Sequence, residues 1–586
     1  MCDVDFQTLY GRHNGDLYLT PTDLEISRVR PRRVLIVGSC LAEVWQSKID
    51  CPCDFVMTNN LNELPTQPPH PISEYDLQLV QLPLRSLLPD DAFWHISFLD
   101  MEAFRQVFDA AVQRMRANLD MAMRWNRENG ILTFVANFFV PQQNAMGRLA
   151  PRCDLRNPVY FIEKLNEKLA QEIECFKNSY LLDIDAISSV LGRRYIQDDT
   201  AELQTHASLL GDSNYAYDQD RIEPIASMTH HYKLHHNSFL ATLWHQAAAM
   251  YKTIRQADTV KLVIVDLDQT LWRGVVAENS EVTDQTIEGW PLGLVEALSY
   301  LKKRGILLAI CSKNDQERIK PLWDKIMHGR LRLEDFAAVN INWKTKAENI
   351  EEILRRTSLL PRSAIFIDDN PAERASVQAA FPEIRTLGRH PYYLKRILLW
   401  APETQVPVVT QESARRTEMI NAQAEREEAR KKMSREDFLA SLNLEIDVAP
   451  INNLDHPSFA RVLELLNKTN QFNTNGRRWT REECENAIKG GWDLVAFTMR
   501  DRLANYGLTA CTWINQNKIE QFVMSCRVIG LDAENMIIEW LEQIMQQAGK
   551  DSIIARIIET TSNFPCRDMF ARCGFTLVGG DWVKRW

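Results

Sequence analysis

The stretch KLVIVDLDQT at residues 261–270 decides the fold of the central region, because an apolar run ends there in two aspartates and a threonine. Such a short continuous apolar run favours a strand that is buried on both faces. Apolar runs followed by amphipathic helical patterns recur at GILLAICS (305–312), AAVNIN (337–342) and SAIFIDD (363–369). This alternation predicts an α/β fold with a doubly wound parallel sheet over residues 256–400, with helices at 291–304, 315–326, 346–357 and 371–380.

Polar residues follow the predicted strands of this region. In an open parallel sheet the carboxyl ends of the strands border one crevice, so side chains far apart in sequence can meet there. The residues at these ends, or at the start of the next helix, are Asp266, Asp268, Thr270, Ser312, Lys313, Asn314, Lys346, Asp368 and Asp369. The sequence therefore predicts one polar site at this edge of the sheet.

The residue types at this edge suit phosphoryl transfer. Asp266 and Asp268 leave the strand on the same side, so one can attack phosphorus while the other handles the proton of the leaving group. The reaction also needs a hard cation, for which Mg²⁺ is the natural choice, and the ligands we expect are Asp266, Asp268, Asp368 and Asp369. The residues we expect to bind the phosphoryl group are Ser312 and Lys346, with Thr270, Lys313 and Asn314.

The ordered set of D-x-D-x-T, strand-end serine, lysine and D-D resembles the haloacid dehalogenase (HAD) phosphatase superfamily. The resemblance implies an aspartyl-phosphate on Asp266, acid/base catalysis by Asp268, and Mg²⁺. The alternative is a solvated acidic loop, which does not explain why each motif accompanies its own apolar strand. The short spacing of the first two motifs favours an open mouth over a large cap domain, and a small cap at 274–290 is the alternative.

A closer resemblance, to the FkbH-like family of HAD-related proteins from polyketide pathways, covers roughly residues 230–586. The segments that carry it are LWRGVVAE (271–278), AICSKND (309–315), INWKTKAENI (341–350), FIDDNPAER (366–374), LLNKTNQFNTNGRRWT (465–480) and MSCRVIGLDAE (524–534). It implies that 1,3-bisphosphoglycerate is dephosphorylated, that its glyceryl group is held on an enzyme cysteine, and that the group passes to an acyl carrier protein. The alternatives are a stand-alone phosphatase, a CoA-dependent acyltransferase, and a noncatalytic scaffold that docks carrier proteins.

Residues 445–586 resemble the GNAT acyltransferase fold, an α+β domain. A predicted strand at 518–526 leads into Arg527 and Gly530, and a predicted helix begins near Asp532. Backbone N–H groups at such a helix start would bind a pyrophosphate or a pantetheine phosphate. Asp532 departs from the GNAT pattern, since it stands where that pattern has a small residue, and its charge would repel a pyrophosphate. This departure disfavours ordinary acetyl-CoA binding and leaves a carrier-bound pantetheine arm as the alternative ligand.

The residues leave the acyl-carrying cysteine open. Cys526 is the cysteine we favour, because a helix start and Arg527 nearby would lower the pKa of its thiol. A buried structural role is the alternative for this residue. Cys311 adjoins Ser312 but points to the opposite face of its strand, and Cys40 is the third candidate. The twelve cysteines show no zinc-finger spacing, so we expect reduced thiols.

Residues 1–255 form a further predicted α/β domain, with strands at VLIVGSC (34–40) and ILTFVANFF (131–139) and helices near 102–124 and 160–178. The first of these segments resembles the nucleophile block of SGNH hydrolases, which places Ser39 at the nucleophile position. The chain contains no D-x-x-H, the motif that carries the base of that family. We therefore expect a hydrolase-like fold without ordinary esterase activity, for example a docking module.

Two other groups of polar residues have both a structural and a functional interpretation. A run of four histidines, HH-x3-HH, could supply metal ligands, but a surface or domain-joining segment is favoured; its members are His230, His231, His235 and His236. A second group could bind the acidic surface or phosphate of a carrier, or could be a polar loop with a helix cap; its members are Lys468, Asn470, Arg477 and Arg478.

The overall composition excludes several classes. The chain has 586 residues, with 68 Lys and Arg against 78 Asp and Glu, a net charge of −10 that disfavours nonspecific nucleic-acid binding. No stretch reaches the roughly 20 apolar residues of a membrane span, and the first residues do not form a secretory signal, so we expect a cytoplasmic protein. The charged segment 411–437 predicts a helical linker within 401–444.

Overall fold

The computed structural model describes residues 20–58, 64–275, 283–409, 416–418, 420, 442–502, 505–560 and 562–586. The chain divides into two compact units, one built mainly from Arg28–Lys252 and the other from Asp23–Ser27 with Thr253–Trp586. Among the helices of the described ranges, none is both long enough and apolar enough to cross a membrane. Most of the predicted linker, and residues 276–282 of the predicted small cap, lie outside the described residues.

The first unit contains a five-stranded parallel sheet in the order β2-β1-β3-β4-β5. Its strands are β1 (Val34–Gly38), β2 (Cys53–Met57), β3 (Leu77–Val80), β4 (Thr133–Ala136) and β5 (Ser179–Leu182). The helices that accompany them are α1 (Cys40–Glu43), α2 (Leu84–Leu87), α3 (Met101–Ala122), α4 (Arg124–Asn129), α5 (Pro158–Ile173), α6 (Ile184–Leu191), α7 (Met228–His231) and α8 (His236–Ile254). Every residue of β1, β3 and β4 is buried, as the apolar runs at 34–40 and 131–139 predict for β1 and β4.

The second unit begins with a five-stranded parallel sheet in the order β10-β9-β6-β7-β8. The strands are β6 (Leu262–Val265), β7 (Leu307–Ser312), β8 (Ala338–Ile341), β9 (Ala364–Ile367) and β10 (Arg385–Leu387). The helices are α9 (Trp290–Lys303), α10 (Gln316–Met327), α11 (Lys346–Thr357), α12 (Pro371–Ala380) and α13 (Pro391–Trp400). Side chains of β6 alternate between two apolar clusters, one on each face of the sheet, so the strand is buried on both sides.

The second unit also contains a seven-stranded sheet in the order β11-β12-β13-β14-β15-β17-β16. Its strands are β11 (Glu445–Pro450), β12 (Asp493–Arg500), β13 (Asn505–Asn515), β14 (Lys518–Met524), β15 (Ser552–Ala555), β16 (Thr576–Val578) and β17 (Asp581–Arg585). Its helices are α14 (Phe459–Lys468), α15 (Arg481–Lys489), α16 (Ala533–Gln547) and α17 (Met569–Arg572). Neighbouring strands are antiparallel except β14 and β15.

The parallel pair β14 and β15 separates after two residues. Lys518 and Ile519 pair with β15, and beyond them the segment 472–474 takes the place of β15 beside β14. The Thr474 N–H donates to the Phe522 carbonyl at 3.1 Å, and the Met524 N–H donates to the Phe472 carbonyl at 2.9 Å. On its other side, the Thr474 carbonyl accepts from the Ile558 N–H at 2.8 Å. The chain thus fills the gap in its own sheet with residues 472–474.

Candidate active site

The carboxyl edge of the central sheet brings three predicted residues together. Asp266 directly follows β6 and Asp368 directly follows β9, and the Asp266 N–H donates to the Ile367 carbonyl at 2.9 Å, which keeps the two strand ends side by side. Lys346 is the first residue of α11. A capping box fixes this helix start, because the Thr345 hydroxyl and the Glu348 carboxylate accept each other's backbone N–H groups. Local sequence therefore determines where each of the three side chains emerges.

Lys346 lies between the two carboxylates. Its Nζ is 2.5 Å from Asp266 Oδ1 and 3.1 Å from Asp368 Oδ2, and it donates to the Cys311 carbonyl at 2.7 Å. Burial raises the pKa of Asp266 above its ordinary value, although Lys346 acts in the opposite direction. Burial also raises the pKa of Asp368, with a further increase from Asp266. For Lys346, burial lowers the pKa but the two carboxylates outweigh it, so the pKa is raised and the amine is cationic.

The same edge carries a set of oxygens that fits a metal ion. One carboxylate oxygen from each of Asp266, Asp368 and Asp369 lies within 4.8 Å of the others. Asp368 Oδ2 is buried, and the Lys346 ammonium lies 3.1 Å from it. Three converging carboxylate oxygens, two of them from buried residues, form the kind of ligand set that a hard divalent cation binds. The residues present therefore fit Mg²⁺.

Gly388 gives the Asp368 backbone its space. The residue has a φ of +119°, and a Cβ there would lie 2.1 Å from the Asp368 carbonyl oxygen, far inside contact distance. The Asp368 N–H donates to the Leu387 carbonyl at 3.2 Å, so this segment runs alongside the strand end. Glycine at 388 is therefore required for the position of Asp368.

Asp268 lies outside the carboxylate cluster. Its Oδ1 accepts from the Trp272 indole N–H at 2.8 Å, and its Oδ2 accepts from the Asn314 amide at 2.8 Å. Directly after it, Gln269 has a φ of 55°, a left-handed conformation that turns the chain sharply after the second aspartate. The Asp268 side chain is thus held apart from the three candidate ligands, and the geometry favours its predicted acid/base role over its predicted metal role.

The remaining predicted residues of this edge have distinct positions. Ser312 is buried at the end of β7, and its hydroxyl hydrogen-bonds to Asp266. Thr270 Oγ1 accepts from the Asp369 N–H at 3.0 Å and so links the first motif to the last. Lys313 forms an ion pair with Glu373 at 2.6 Å and is partly exposed, a contact that sequence spacing did not reveal. Ser312 therefore lies at the candidate site, Thr270 supports it, and Lys313 lies at its exposed margin.

The candidate cysteines differ in environment. Cys526 begins a one-turn 3₁₀ helix after β14, and its side chain lies outside the described residues. Cys311 is buried, and its Sγ contacts the Lys346 carbonyl at 3.8 Å on the face opposite Ser312. Burial raises the pKa of Cys311 to about 12, so this thiol is a poor nucleophile. Cys40 is exposed at the start of α1 in the first unit.

The predicted pantetheine turn differs from the expected helix start. Arg527 is buried and lies in the 3₁₀ helix, Gly530 has a φ of +85°, and Asp532 has a φ of 57° immediately before α16. The Asp532 side chain does not cap this helix.

The polar group that contains Arg478 is a separate feature. Arg478 donates to the carbonyls of Leu466 and Thr469 at 2.8 and 2.7 Å, which favours the loop-with-cap interpretation for this residue.

In the first unit, Ser39 has a structural role. Its hydroxyl donates to Gln81 Oε1 at 2.9 Å and accepts from the Leu41 N–H at 3.3 Å, so it caps α1. Sequence reasoning missed a histidine and carboxylate pair in this unit, His206 with Asp198, because the two residues are eight positions apart rather than in a D-x-x-H motif. Within the described ranges, the three side chains that are close enough to hold one metal ion are all carboxylates. The histidines of HH-x3-HH form no such group there.

No family model matches the sequence, and no curated protein matches it. Solved structures do resemble the chain. A Bacteroides fragilis fragment that contains a phosphatase domain and is complexed with Mg is 20% identical, with a TM-score of 0.44, over 64% of this chain and 94% of its own.

Two further structures cover less of the chain. A Moraxella catarrhalis phosphatase that acts on 3-deoxy-D-manno-octulosonate 8-phosphate, in complex with magnesium and phosphate ions, is 19% identical over 22% of this chain and 68% of its own, with a TM-score of 0.17. A Salmonella typhimurium protein assigned as an acetyltransferase, with acetyl-CoA, is 14% identical over 24% of this chain and 94% of its own, with a TM-score of 0.18. At these values the functional argument stands on the site geometry.

Proposed function

We propose that the central sheet carries a Mg²⁺-dependent phosphatase or phosphotransferase centre of the HAD type. The observation that carries this proposal is that the side chains of Asp266, Lys346 and Asp368 are buried and in contact at the carboxyl edge. Asp268, two residues after Asp266, is held by hydrogen bonds from Trp272 and Asn314. When bound, Mg²⁺ would be held by Asp266, Asp368 and Asp369 and would neutralise charge on the phosphoryl oxygens.

The protein's own residues divide the reaction into two steps. The Asp266 carboxylate attacks phosphorus, the bond from phosphorus to the leaving oxygen breaks, and Asp268 delivers a proton to that oxygen. Asp268 then removes a proton from water, which attacks the aspartyl-phosphate, releases inorganic phosphate and regenerates Asp266. Lys346 and Ser312 hold Asp266 in place for attack, and the positive charge of Lys346 offsets negative charge on the phosphoryl oxygens.

We further propose 1,3-bisphosphoglycerate as the substrate and an acyl carrier protein as the acceptor. The acyl phosphate is already activated, so a cysteine thiolate can attack its carbonyl carbon and expel inorganic phosphate without ATP. The centre at Asp266 removes the phosphate monoester, and the pantetheine thiol of the carrier then attacks the thioester and frees the cysteine. Cys526 is our choice for this cysteine, supported by the FkbH-like resemblance and by its position between Ser525 and Arg527.

The test incubates the full chain with Mg²⁺ and 1,3-bisphosphoglycerate and measures phosphate release, intact mass and the site of any adduct. We expect a glyceryl adduct on Cys526, and we expect Asp266→Asn to block loss of the monoester phosphate. Asp324→Asn, an exposed aspartate on α10, is the matched control and should behave as wild type.

The outcomes separate the parts of the proposal. Phosphate release without an adduct would leave a phosphatase and refute the thioester step. An adduct on Cys40, or full transfer to the carrier by Cys526→Ala, would refute the assignment of Cys526. Equal monoester hydrolysis by wild type and Asp266→Asn would refute the phosphatase centre itself.

A further inference from the structure

A cavity of about 90 Å³ lies inside the second unit, between the central sheet and the C-terminal sheet. Gly305 and Ser363, which stand before β7 and β9, line it from the amino edge of the central sheet. Ser525 and Arg527, the two neighbours of Cys526 in sequence, line it from the turn after β14. The segment that carries Cys526 therefore borders this cavity.

The wall that α14 contributes is held by ion pairs. The Glu464 carboxylate accepts from Arg461 at 2.6 Å and from Lys468 at 2.8 Å, and all three residues line the cavity. The carbonyl of Lys468 accepts from the Lys261 ammonium, which ties the end of α14 to the start of β6. A wall that is fixed before a ligand enters lowers the entropic cost of binding.

Ser525 supplies a hydrogen-bond donor at the cavity. The residue is buried, and its Oγ accepts from the Arg527 Nε–H at 2.9 Å and from the Arg527 backbone N–H at 3.4 Å. Its own proton is donated to none of the residues in the described ranges. A serine hydroxyl both accepts and donates. Since Arg527 occupies the acceptor side, the proton of Ser525 remains for an oxygen of a ligand.

Other neutral polar groups at the wall also keep hydrogen-bonding capacity. Among the residues that the structure describes, none forms a hydrogen bond with the side chains of Ser358, Thr469 or Gln471, which all line the cavity. Asn470 Oδ1 accepts from Arg478, and the Asn470 NH₂ group donates to none of these described residues. Hydroxyl and amide groups each donate and accept. Together they fit a ligand that carries several hydroxyl groups.

The volume of the cavity limits the ligand to a few atoms. A water molecule takes about 30 Å³ of the liquid, so 90 Å³ is roughly three such volumes, whereas pockets for drug-sized ligands measure about 300–1,000 Å³. Leu465 and Phe472 also line the cavity and supply apolar surface for a short carbon chain. The size therefore suits a chain of about three carbons and excludes a nucleotide or a whole CoA molecule.

We propose that this cavity binds a short polyhydroxylated acyl group while that group is held on Cys526. Ser525 donates to an oxygen of the acyl group, and Thr469 and Gln471 bind its hydroxyl groups. The ligand class is inferred from the size and the neutral polar lining. The choice of Cys526 and of a three-carbon group rests on the proposed function.

The cavity is separate from the candidate active site. Lys261, which lines the cavity, and Asp266 stand at opposite ends of β6, five residues apart, or roughly 16 Å at about 3.3 Å per residue. A three-carbon group in the cavity therefore cannot contact the carboxylates at the other end of the strand. Substitutions at the cavity wall test this site without altering the phosphatase centre.

The first experiment measures acylation of Cys526 in the full chain by 1,3-bisphosphoglycerate and by acetyl phosphate, an acyl phosphate without hydroxyl groups. We expect the wild type to prefer the former. Gln471→Met should reduce this preference by about tenfold, because it removes hydrogen bonds to a hydroxyl group at nearly constant volume. Thr469→Val should change it in the same direction. Gln547→Met, at the exposed end of α16, is the matched control and should keep the wild-type preference.

A second measurement needs no acyl transfer. Saturation-transfer NMR compares D-glycerate with propionate, which lacks both hydroxyl groups, on the wild-type chain in EDTA. We expect a signal for glycerate that exceeds that of propionate several-fold and that Gln471→Met weakens. Such binding without any adduct would support the cavity and remove the proposed thioester. The inference is overturned if glycerate and propionate bind equally, or if Gln471→Met and Thr469→Val both keep the wild-type acyl preference and glycerate signal.

Discussion

Replacing Lys346 by methionine tests the electrostatic core of the candidate active site. The side chains of Lys346, Asp266 and Asp368 are 4%, 11% and 2% exposed, so the substitution leaves two carboxylates buried together without their cation. Breaking a buried ion pair by removing one partner costs about 3–5 kcal/mol of stability. We expect the local free energy of unfolding to fall by that amount in EDTA at pH 8.

The matched control is Lys313→Met, the same chemical change on the residue after β7. Its ion pair with Glu373 is 37% and 21% exposed, and pairs of this kind contribute about 0–1 kcal/mol. Hydrogen exchange of the peptide 261–272 at increasing urea measures the local stability without requiring the whole chain to unfold together. A difference between the two variants below about 1 kcal/mol would refute the reasoning.

The deficit in Lys346→Met should also depend on pH and on metal. Burial raises the pKa of Asp266 and Asp368, so in the variant these groups bind protons on acidification and lose their repulsion. The deficit is therefore full at alkaline pH and shrinks as the pH falls through the raised pKa values. Mg²⁺ should restore part of the stability, because it neutralises the same carboxylates. A deficit that grows on acidification would contradict this account.

Three further predictions concern single side chains. Asp268→Asn should lower kcat for phosphate release by about 10²–10⁴-fold in steady-state kinetics, because it removes the acid/base group. The Kd for Mg²⁺, measured by calorimetry, should change little, because this carboxylate lies outside the metal cluster. Alkylation with N-ethylmaleimide at pH 8, followed by peptide mapping, should modify exposed Cys40 and spare Cys311, whose pKa is raised by burial to about 12; reaction of Cys311 at the rate of Cys40 would be inconsistent with that burial. Gly388→Ala should reduce the free energy of unfolding by at least about 2 kcal/mol in urea denaturation. Gly329 has a φ of +74° and open space around it, so Gly329→Ala should cost only about 1 kcal/mol. Equal losses would refute the steric argument.

The sequence predicts the central sheet well because its strands are continuous apolar runs with polar residues directly after them. The apolar run within 261–270 contains β6, and the predicted helix at 346–357 coincides with α11. The site residues follow from the same rule, since strand ends in a parallel sheet share one edge. The meeting of Asp266, Lys346 and Asp368 was therefore predictable without knowledge of any long-range contact.

Other features carry no such local signal. No residue of β11 is fully buried, and the alternation of half-buried Ile446 and Val448 with exposed acidic residues is too short to be a strong signal. β10 has three residues, too few for a period to show. The partner of Lys313 is 60 positions away in sequence. The pairing of residues 472–474 with β14 joins segments about fifty positions apart in sequence. These residues lie beside β14 where a continuation of β15 would otherwise lie. Long-range pairing, rather than local preference, determines these features.

The segment 472–474 has a consequence for how the C-terminal sheet can be handled as a fragment. A fragment beginning after Gly476 would lack the residues that satisfy the Phe522 carbonyl and the Met524 N–H, and would leave one side of β14 open where β15 has diverged. Open strand edges recruit other chains and cause aggregation. A soluble fragment of this region should therefore begin well before Phe472, because this short internal segment protects the domain from self-association.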